Sequence, residues 1–345
     1  MKTASYTKYT LDFKNPSGTS RGILRTKETW FIILEENGHK GYGETGLFRG
    51  LSMDDVPHYE ETLQWVCKNI HLGLDELLKK LISFPSIQFG LEQAFLSLQS
   101  KEPFVLFPSS FTASQTSIPI NGLIWMGDSS FMKSQIKEKL VQGFSCLKMK
   151  IGAINFDAEI EILKSIRKEF SSSEIELRVD ANGAFAPKEA MGKLQILSEL
   201  DLHSIEQPIK QGQVEEMAAL CAKTPLPIAL DEELIGVFSS TEKNELIETI
   251  QPQYIILKPS LVGGLAGSTA WIALAEKNHI GWWITSALES NIGLNAIAQF
   301  TATLKNKNPQ GLGTGGLFTN NFECPLEVKK GTLHYNNTNN WKFKL

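Results

Sequence analysis

Cysteine is scarce in this chain. Four occur in 345 residues (Cys67, Cys146, Cys221 and Cys324), and no two stand in CxxC spacing. That excludes the usual zinc-ribbon and dithiol motifs and predicts reduced, partly buried thiols. The six histidines form no HxH or HxxxH pair, so an imidazole metal site has no local support. An excess of one charge is also missing: 34 basic against 38 acidic side chains leave a net charge of −4. Nothing in that balance provides an electrostatic footprint for nucleic acid or for an anionic membrane surface. Long apolar runs are absent too. Residues 1–16 are polar throughout and carry no apolar signal core. The uncharged stretch 260–275 is too short for a membrane span and is diluted by Gly263, Gly264, Gly267, Ser268 and Thr269. These absences lead us to expect a cytoplasmic protein with neither nucleic acid nor membrane as a partner.

Against this background one short run stands out: Leu147-Lys148-Met149-Lys150-Ile151. In a β-strand, alternation sends Lys148 and Lys150 to one face and Met149 to the other. Mutual repulsion and burial both disfavour the charged form, so the doublet predicts lysines with lowered pKa, suited to general-base work. By itself the doublet reads equally well as a solvated edge strand, where lysines block aggregation.

The chain around it divides in two. Residues 1 to about 45 carry strand signals, with Asn37-Gly38 as a hairpin turn after the apolar run 30–36. Residues 53–100 turn helical by apolar spacing. The stretch 104–117 lacks periodicity and marks a crossing into a second region. From there, strand and helix signals alternate. Candidate strands lie at 118–121, 146–151, 175–180, 204–206, 228–231, 254–258 and 282–285, with a short one near Leu312. Amphipathic stretches separate them. The repeat predicts an α/β protein with a parallel sheet, and the count predicts closure into a barrel. A doubly wound sheet would want a glycine-rich phosphate loop after its first strand, and none is present. Near the C-terminus, Thr332-Leu333-His334-Tyr335 and Trp341-Lys342-Phe343 flank an Asn-rich turn and read as a hairpin returning to the first region.

Charged residues gather where the barrel strands end, the usual place for catalytic groups in this architecture. After Lys148 and Lys150 come Arg178-Val179-Asp180-Ala181-Asn182, then Glu206, Asp231-Glu232-Glu233, Lys258-Pro259 and Ser286 with Glu289. Alternation places Arg178, Asp180 and Asn182 on one face. Asp180, Glu206 and Asp231 on three neighbouring strands make an oxygen site for a hard cation such as Mg²⁺, with Mn²⁺ equally served by oxygen ligands. Each carboxylate alone would read as a helix cap or ion-pair partner. Together with the lysines they suit removal of a proton next to a carboxylate: a cation opposes the charge of the resulting dianion while a lysine takes the proton.

These motifs resemble the enolase superfamily, muconate-lactonising-enzyme subgroup, over almost the whole chain. The resemblance implies a (β/α)7β modified TIM barrel at residues 116–319. An α+β capping domain would be built from residues 1–115, with residues 320–345 returning to it. Within the subgroup four stretches look most like the o-succinylbenzoate synthases: 178–182, Ser286-Ala287-Leu288-Glu289-Ser290, residues 311–318 and Gly41-Tyr42-Gly43-Glu44. That family dehydrates 2-succinyl-6-hydroxy-2,4-cyclohexadiene-1-carboxylate to 2-succinylbenzoate in menaquinone biosynthesis. Carried over, Lys150 is the base and then the acid that releases water, Lys258 stabilises the anion from the other face, and Lys148 tunes Lys150. Asp180, Glu206 and Asp231 would hold Mg²⁺. Arg178, Asn182, Ser286 and Gly315 are implied substrate contacts, and Arg21 and the loop 48–52 closing elements of the cap.

The partner expected is a small carboxylate substrate, and a homo-oligomer is compatible with the sequence. A dipeptide epimerase or N-acylamino-acid racemase would use the same two lysines. The segment 313–316 offers no acid for a substrate ammonium, which disfavours the dipeptide but leaves the N-acyl substrate open. A mandelate-racemase-like route would want a histidine on strand seven, and His279 precedes it. A non-catalytic barrel used for binding is the alternative from another class, since fold alone does not fix function.

Overall fold

The computed structural model describes residues 2–19 and 22–345. The chain opens with an antiparallel sheet of β1 (Thr3–Thr19), β2 (Gly22–Glu36) and β3 (His39–Gly46). Asn37 and Gly38 both adopt positive φ (53° and 79°), as a tight two-residue turn between twisted strands requires. Helices α1 (Tyr59–Lys68), α2 (Leu74–Lys80) and α3 (Pro85–Gln99) follow. Their apolar faces join Trp30, Ile32 and Leu34 of β2 in one core. Helix α3 lies directly on β3 through glycines: a Cβ on Gly43 would overlap the Gly90 carbonyl oxygen of α3.

A short strand, β4 (Ile118–Pro119), leads into the second region. Seven parallel strands then alternate with helices: β5 (Gly122–Ile124), α4 (Ser129–Val141), β6 (Cys146–Lys150), α5 (Phe156–Glu169), β7 (Glu176–Asp180) and α6 (Pro187–Ser198). The series continues with β8 (Ser204–Glu206), α7 (Val214–Cys221), β9 (Ile228–Leu230), α8 (Ser240–Ile250), β10 (Tyr254–Leu257), α9 (Gly264–Lys277), β11 (Gly281–Ile284) and α10 (Asn291–Leu304). The strands neighbour one another in chain order from β5 to β11. Gln310 and Gly311 occupy the eighth position, bridging to Ile120 on one side and Thr285 on the other, and so close the barrel. The strands are apolar on both faces because helices cover the outside and side chains fill the inside. Helix starts carry the expected caps: Asp128, Asn155 and Ser290 accept from first-turn amides, and Ser239 with Glu242 forms a capping box.

Two boundaries differ from the sequence reading. The apolar stretch 118–121 is not the first barrel strand. Ile118–Pro119 pairs with the terminal hairpin, and the barrel starts at Gly122. The hairpin itself joins β12 (Leu326–Lys329) to β13 (Thr332–Tyr335), so Trp341 and Phe343 are not its second strand. Those two aromatics do return to the first region. Phe343 packs edge-on against Phe31 and Tyr42, and Trp341 stacks on Phe104. The uncharged stretch 260–275 is a turn followed by buried α9, and among the described residues no helix is long and apolar enough to cross a membrane.

The cap sits on the catalytic end of the barrel through two buried glutamates. Glu44 Oε2 accepts from the Ser290 hydroxyl (2.6 Å) and the Gly293 amide (2.8 Å) at the start of α10. Glu92 Oε1 and Oε2 accept from the Ala266 and Leu265 amides at the start of α9. Helix N-termini present unpaired amides and a positive field, so carboxylates anchor there. In this barrel those N-termini face the same end as the C-terminal ends of the strands.

Candidate active site

Parallel register sets the site. Lys150 of β6 is level with Asp180 of β7, which is level with Glu206 of β8. Asp231 follows β9 directly and Lys258 follows β10. Strands β6 and β10 are four positions apart in a closed ring of eight, so Lys150 and Lys258 face each other across the barrel. Both reach a cavity of about 490 Å³, together with Lys148, Asp180, Asn182 and Glu232. The cavity runs outward past Ser286, Ala287, Leu288, Thr314 and Leu317 to Phe48, Leu51 and Lys14 of the cap.

The charged side chains form one buried network. Lys150 Nζ donates to Asp180 Oδ2 (3.0 Å) and Asn182 Oδ1 (2.7 Å). Asn182 in turn donates through Nδ2 to Glu232 Oε1 (3.0 Å). Lys148 lies 3.0 Å from Asp180 Oδ2 and also donates to Glu206, while Lys258 donates to Asp231. Alternation places Lys148 and Lys150 on the same side, as the sequence predicts. Their electrostatics differ from the expectation, because carboxylates rather than a neighbouring ammonium dominate. Burial pulls the Lys148 pKa down, but Asp180 and Glu206 outweigh it and the net shift is upward. Lys258 behaves likewise: burial lowers, Asp231 and Glu206 raise, and the net is raised. Burial would raise Asp180, yet Lys148, Lys150 and Lys258 together hold it well below the usual carboxylate range. Glu206 goes the other way. Burial first, then the Asp180 charge, push it to about 8.

Four carboxylates (Asp180, Glu206, Asp231, Glu232) face three ammoniums (Lys148, Lys150, Lys258), an excess of one negative charge at the floor of the site. Glu206 Oε1 is buried and accepts no hydrogen bond. An oxygen-only donor set with surplus negative charge and an orphaned buried oxygen suits a hard divalent cation. Among the described residues, however, no three His, Cys, Asp or Glu side chains already stand grouped around one ion position. The ammoniums of Lys148 and Lys258 take carboxylate oxygens of the set instead.

Other residues singled out by sequence fall into two groups. Asn182 and Ser286 line the cavity, and the Ser286 hydroxyl pairs with that of Thr314 (2.6 Å). Phe48 and Leu51 of the loop 48–52 line it as well. Arg178 does not. It lies a layer deeper in the barrel, donating to Glu176 (2.6 Å) and the Pro309 carbonyl (2.9 Å) and stacking on Trp283. Alternation gave the correct face but not the depth along the strand. Gly315 also stays off the cavity surface, and a Cβ there would meet Asn291 at 2.6 Å. Arg21 lies outside the described residues. Sequence reasoning passed over Glu232, Thr314 and Lys14. Glu232 was masked by its adjacent acids, and Lys14 belongs to a strand with no local motif.

A family model described as enolase C-terminal domain-like matches residues 132–338. The o-succinylbenzoate synthase of Desulfotalea psychrophila is 46% identical over 95% of this chain and 98% of its own length. The chain belongs to the enolase superfamily. Within the superfamily, the crystal structure of MenC from D. psychrophila superimposes with a TM-score of 0.86 at 43% identity, covering 96% of this chain and 99% of that one. The L-Ala-D/L-Glu epimerase of Bacillus subtilis is more distant, at 24% identity over 91% of this chain and 85% of its own length. The muconate lactonizing enzyme of Pseudomonas fluorescens shares the fold with a TM-score of 0.83 at 22% identity. Fold and family therefore agree: a (β/α)7β barrel under an α+β cap. Enzymes of this superfamily depend on a divalent metal, and the dipeptide epimerase of Enterococcus faecalis has been crystallised with Mg and a dipeptide.

Proposed function

We propose that the protein catalyses the o-succinylbenzoate synthase reaction, the syn or anti loss of water from 2-succinyl-6-hydroxy-2,4-cyclohexadiene-1-carboxylate that yields aromatic 2-succinylbenzoate for menaquinone synthesis. The observation that carries this reading is the pair of lysines on opposite walls of one cavity, beside a carboxylate cluster, in a chain 46% identical to such a synthase. Lys150 removes the ring proton next to the carboxylate. Its Nζ is aimed by Asp180 and Asn182, so it needs no search of rotamers at the moment of reaction. Bound by Asp180, Glu206 and Asp231, a divalent cation, Mg²⁺ in our reading, supplies positive charge that offsets the developing dianion and favours neutral lysine. Lys258 faces the other side of the ring and stabilises the anion electrostatically. The proton on Lys150 then returns to the departing hydroxyl as the C–O bond breaks, releasing water. Lys148 holds Asp180 and Glu206 in place between the two.

At the outer end of the cavity, Lys14 has no ion-pair or hydrogen-bond partner among the described residues. It is suited to the distal carboxylate of the succinyl chain. The test is product identity. Purified protein with Mg²⁺ is expected to convert the cyclohexadiene acid to 2-succinylbenzoate, identified by mass, and to leave Ala-Glu dipeptides unepimerised. Deuterium exchange at the α-carbon of a dipeptide or N-acylamino acid in D₂O, without dehydration, would overturn the synthase reading in favour of racemase chemistry.

A further inference from the structure

One wall of the cavity is the loop Ser286-Ala287-Leu288, and its backbone is strained. Leu288 has φ 62°, a left-handed conformation that a side chain of this size rarely adopts. Such a conformation persists only where its surroundings over-determine it. Two buried carboxylates do so. Glu289 Oε2 accepts from the Ala287 amide (2.7 Å), and Glu44 Oε1 accepts from the Ser290 amide (2.9 Å). Glu289 Oε1 also accepts from the Ser260 hydroxyl (2.6 Å). Ser260 lies two residues after Lys258, in a turn closed by the Leu261 amide on the Lys258 carbonyl (2.7 Å). Glu289 therefore ties the wall of the cavity to the turn that carries Lys258.

Both carboxylates are fully buried, and buried like charges need compensation. Lys27 of β2 provides it. Its side chain is 7% exposed and its ammonium makes no hydrogen bond. The ammonium, the Thr29 hydroxyl and Glu44 Oε1 all surround one point, the missing side chain of Gly46, at 2.6, 3.3 and 3.7 Å. The ammonium also acts on Glu289: burial raises the Glu289 pKa, the Lys27 charge opposes that, and Glu44 adds to the rise. Among the described residues no surface ion pair or cavity contact uses Lys27, so salt bridging at the surface and direct substrate binding do not explain a buried lysine here.

We propose that Lys27 is a positioning residue for the reaction. From the cap, its ammonium compensates Glu289 and Glu44, and through them fixes the Ser286–Leu288 wall and the Lys258 turn. Cap and barrel thus complete the site through a buried charge cluster as well as through loops over the mouth. The activity readout rests on the synthase reading given above, and the stability readout does not.

The test is a double-mutant cycle on K27M and E289Q, with K27R as the conservative variant, measuring kcat/KM for the cyclohexadiene acid and the urea midpoint of each protein. Methionine keeps most of the apolar stem, so the cycle isolates the charge. The expected result is a loss of about tenfold or more in K27M, K27R within about threefold of wild type, and a K27M cost of less than about threefold in the E289Q background. A K27M protein within about threefold of wild type, or an equal cost in both backgrounds, would overturn the proposal. If K27M alone does not fold, K27M/E289Q is expected to fold, and failure of both is a contrary result. If wild type does not dehydrate the substrate, the synthase reading has failed, and the cycle is decided on the urea midpoints.

Discussion

At the residue scale, the site is a set of lysines whose behaviour is governed by the acids beside them. A lysine doublet in an apolar strand suggests amines with depressed pKa, but Lys148 is raised because Asp180 and Glu206 lie against it. It is a structural cation of the network. The same reasoning isolates Lys14, which lines the outer cavity without a carboxylate partner among the described residues. A charge-assisted hydrogen bond is worth roughly 1.5–3 kcal/mol. Lys14→Glu is therefore expected to raise KM for the cyclohexadiene acid by at least about tenfold with kcat little changed, in steady-state kinetics. A fall in kcat at constant KM would place Lys14 elsewhere in the reaction.

At the element scale, two contacts join the secondary structures that shape the site. The first is the glycine seam between β3 and α3. The clash facing a Cβ on Gly43 is with backbone, which cannot rotate away. Gly43→Ala is expected to cost about 1–3 kcal/mol or more, read as a lower urea midpoint with unchanged slope. A neutral substitution would show that the seam is loose. The second is Glu92 at the start of α9. Burial pushes its carboxyl from 4.5 up to about 7, against the two amides it accepts from. A folded-state pKa above the unfolded one means stability that is full below pH 4.5 and lost as pH rises toward 7. The loss is at most roughly 3 kcal/mol. Glu92→Gln removes the titration, so its stability relative to wild type should improve between pH 4.5 and pH 8 in urea unfolding. A constant difference across that range would contradict the assignment.

At the scale of the whole molecule, the barrel and the floor of its site were legible in sequence, and the mouth was not. Lys150, Asp180, Glu206 and Lys258 each end a strand with strong β signals, so alternation and strand order located them together. Arg178 shared the alternation, but a period of two carries no information about depth, and the residue sits below the site on Trp283. The first barrel strand was misplaced because residues 118–124 are apolar on both sides of Asn121, and pairing with β13 captured the first half. The cap contacts were invisible for a different reason. Glu44 and Glu289 are 245 residues apart and act through amides at helix starts, which no local pattern reports. The division of labour that results is simple. Barrel strands present the lysines and carboxylates, and the cap closes over them and holds the wall in place.

The most direct test is the dehydration rate of Lys150→Ala against wild type in Mg²⁺, followed by loss of diene absorbance, with folding checked by circular dichroism. A general base contributes about 10²–10⁴-fold, and losing the returning acid adds to that. The expected result is a folded protein with kcat reduced by at least about 10³-fold, alongside wild-type activity that EDTA abolishes. A folded Lys150→Ala protein within about tenfold of wild type would contradict the assignment of Lys150 and with it the proposed chemistry.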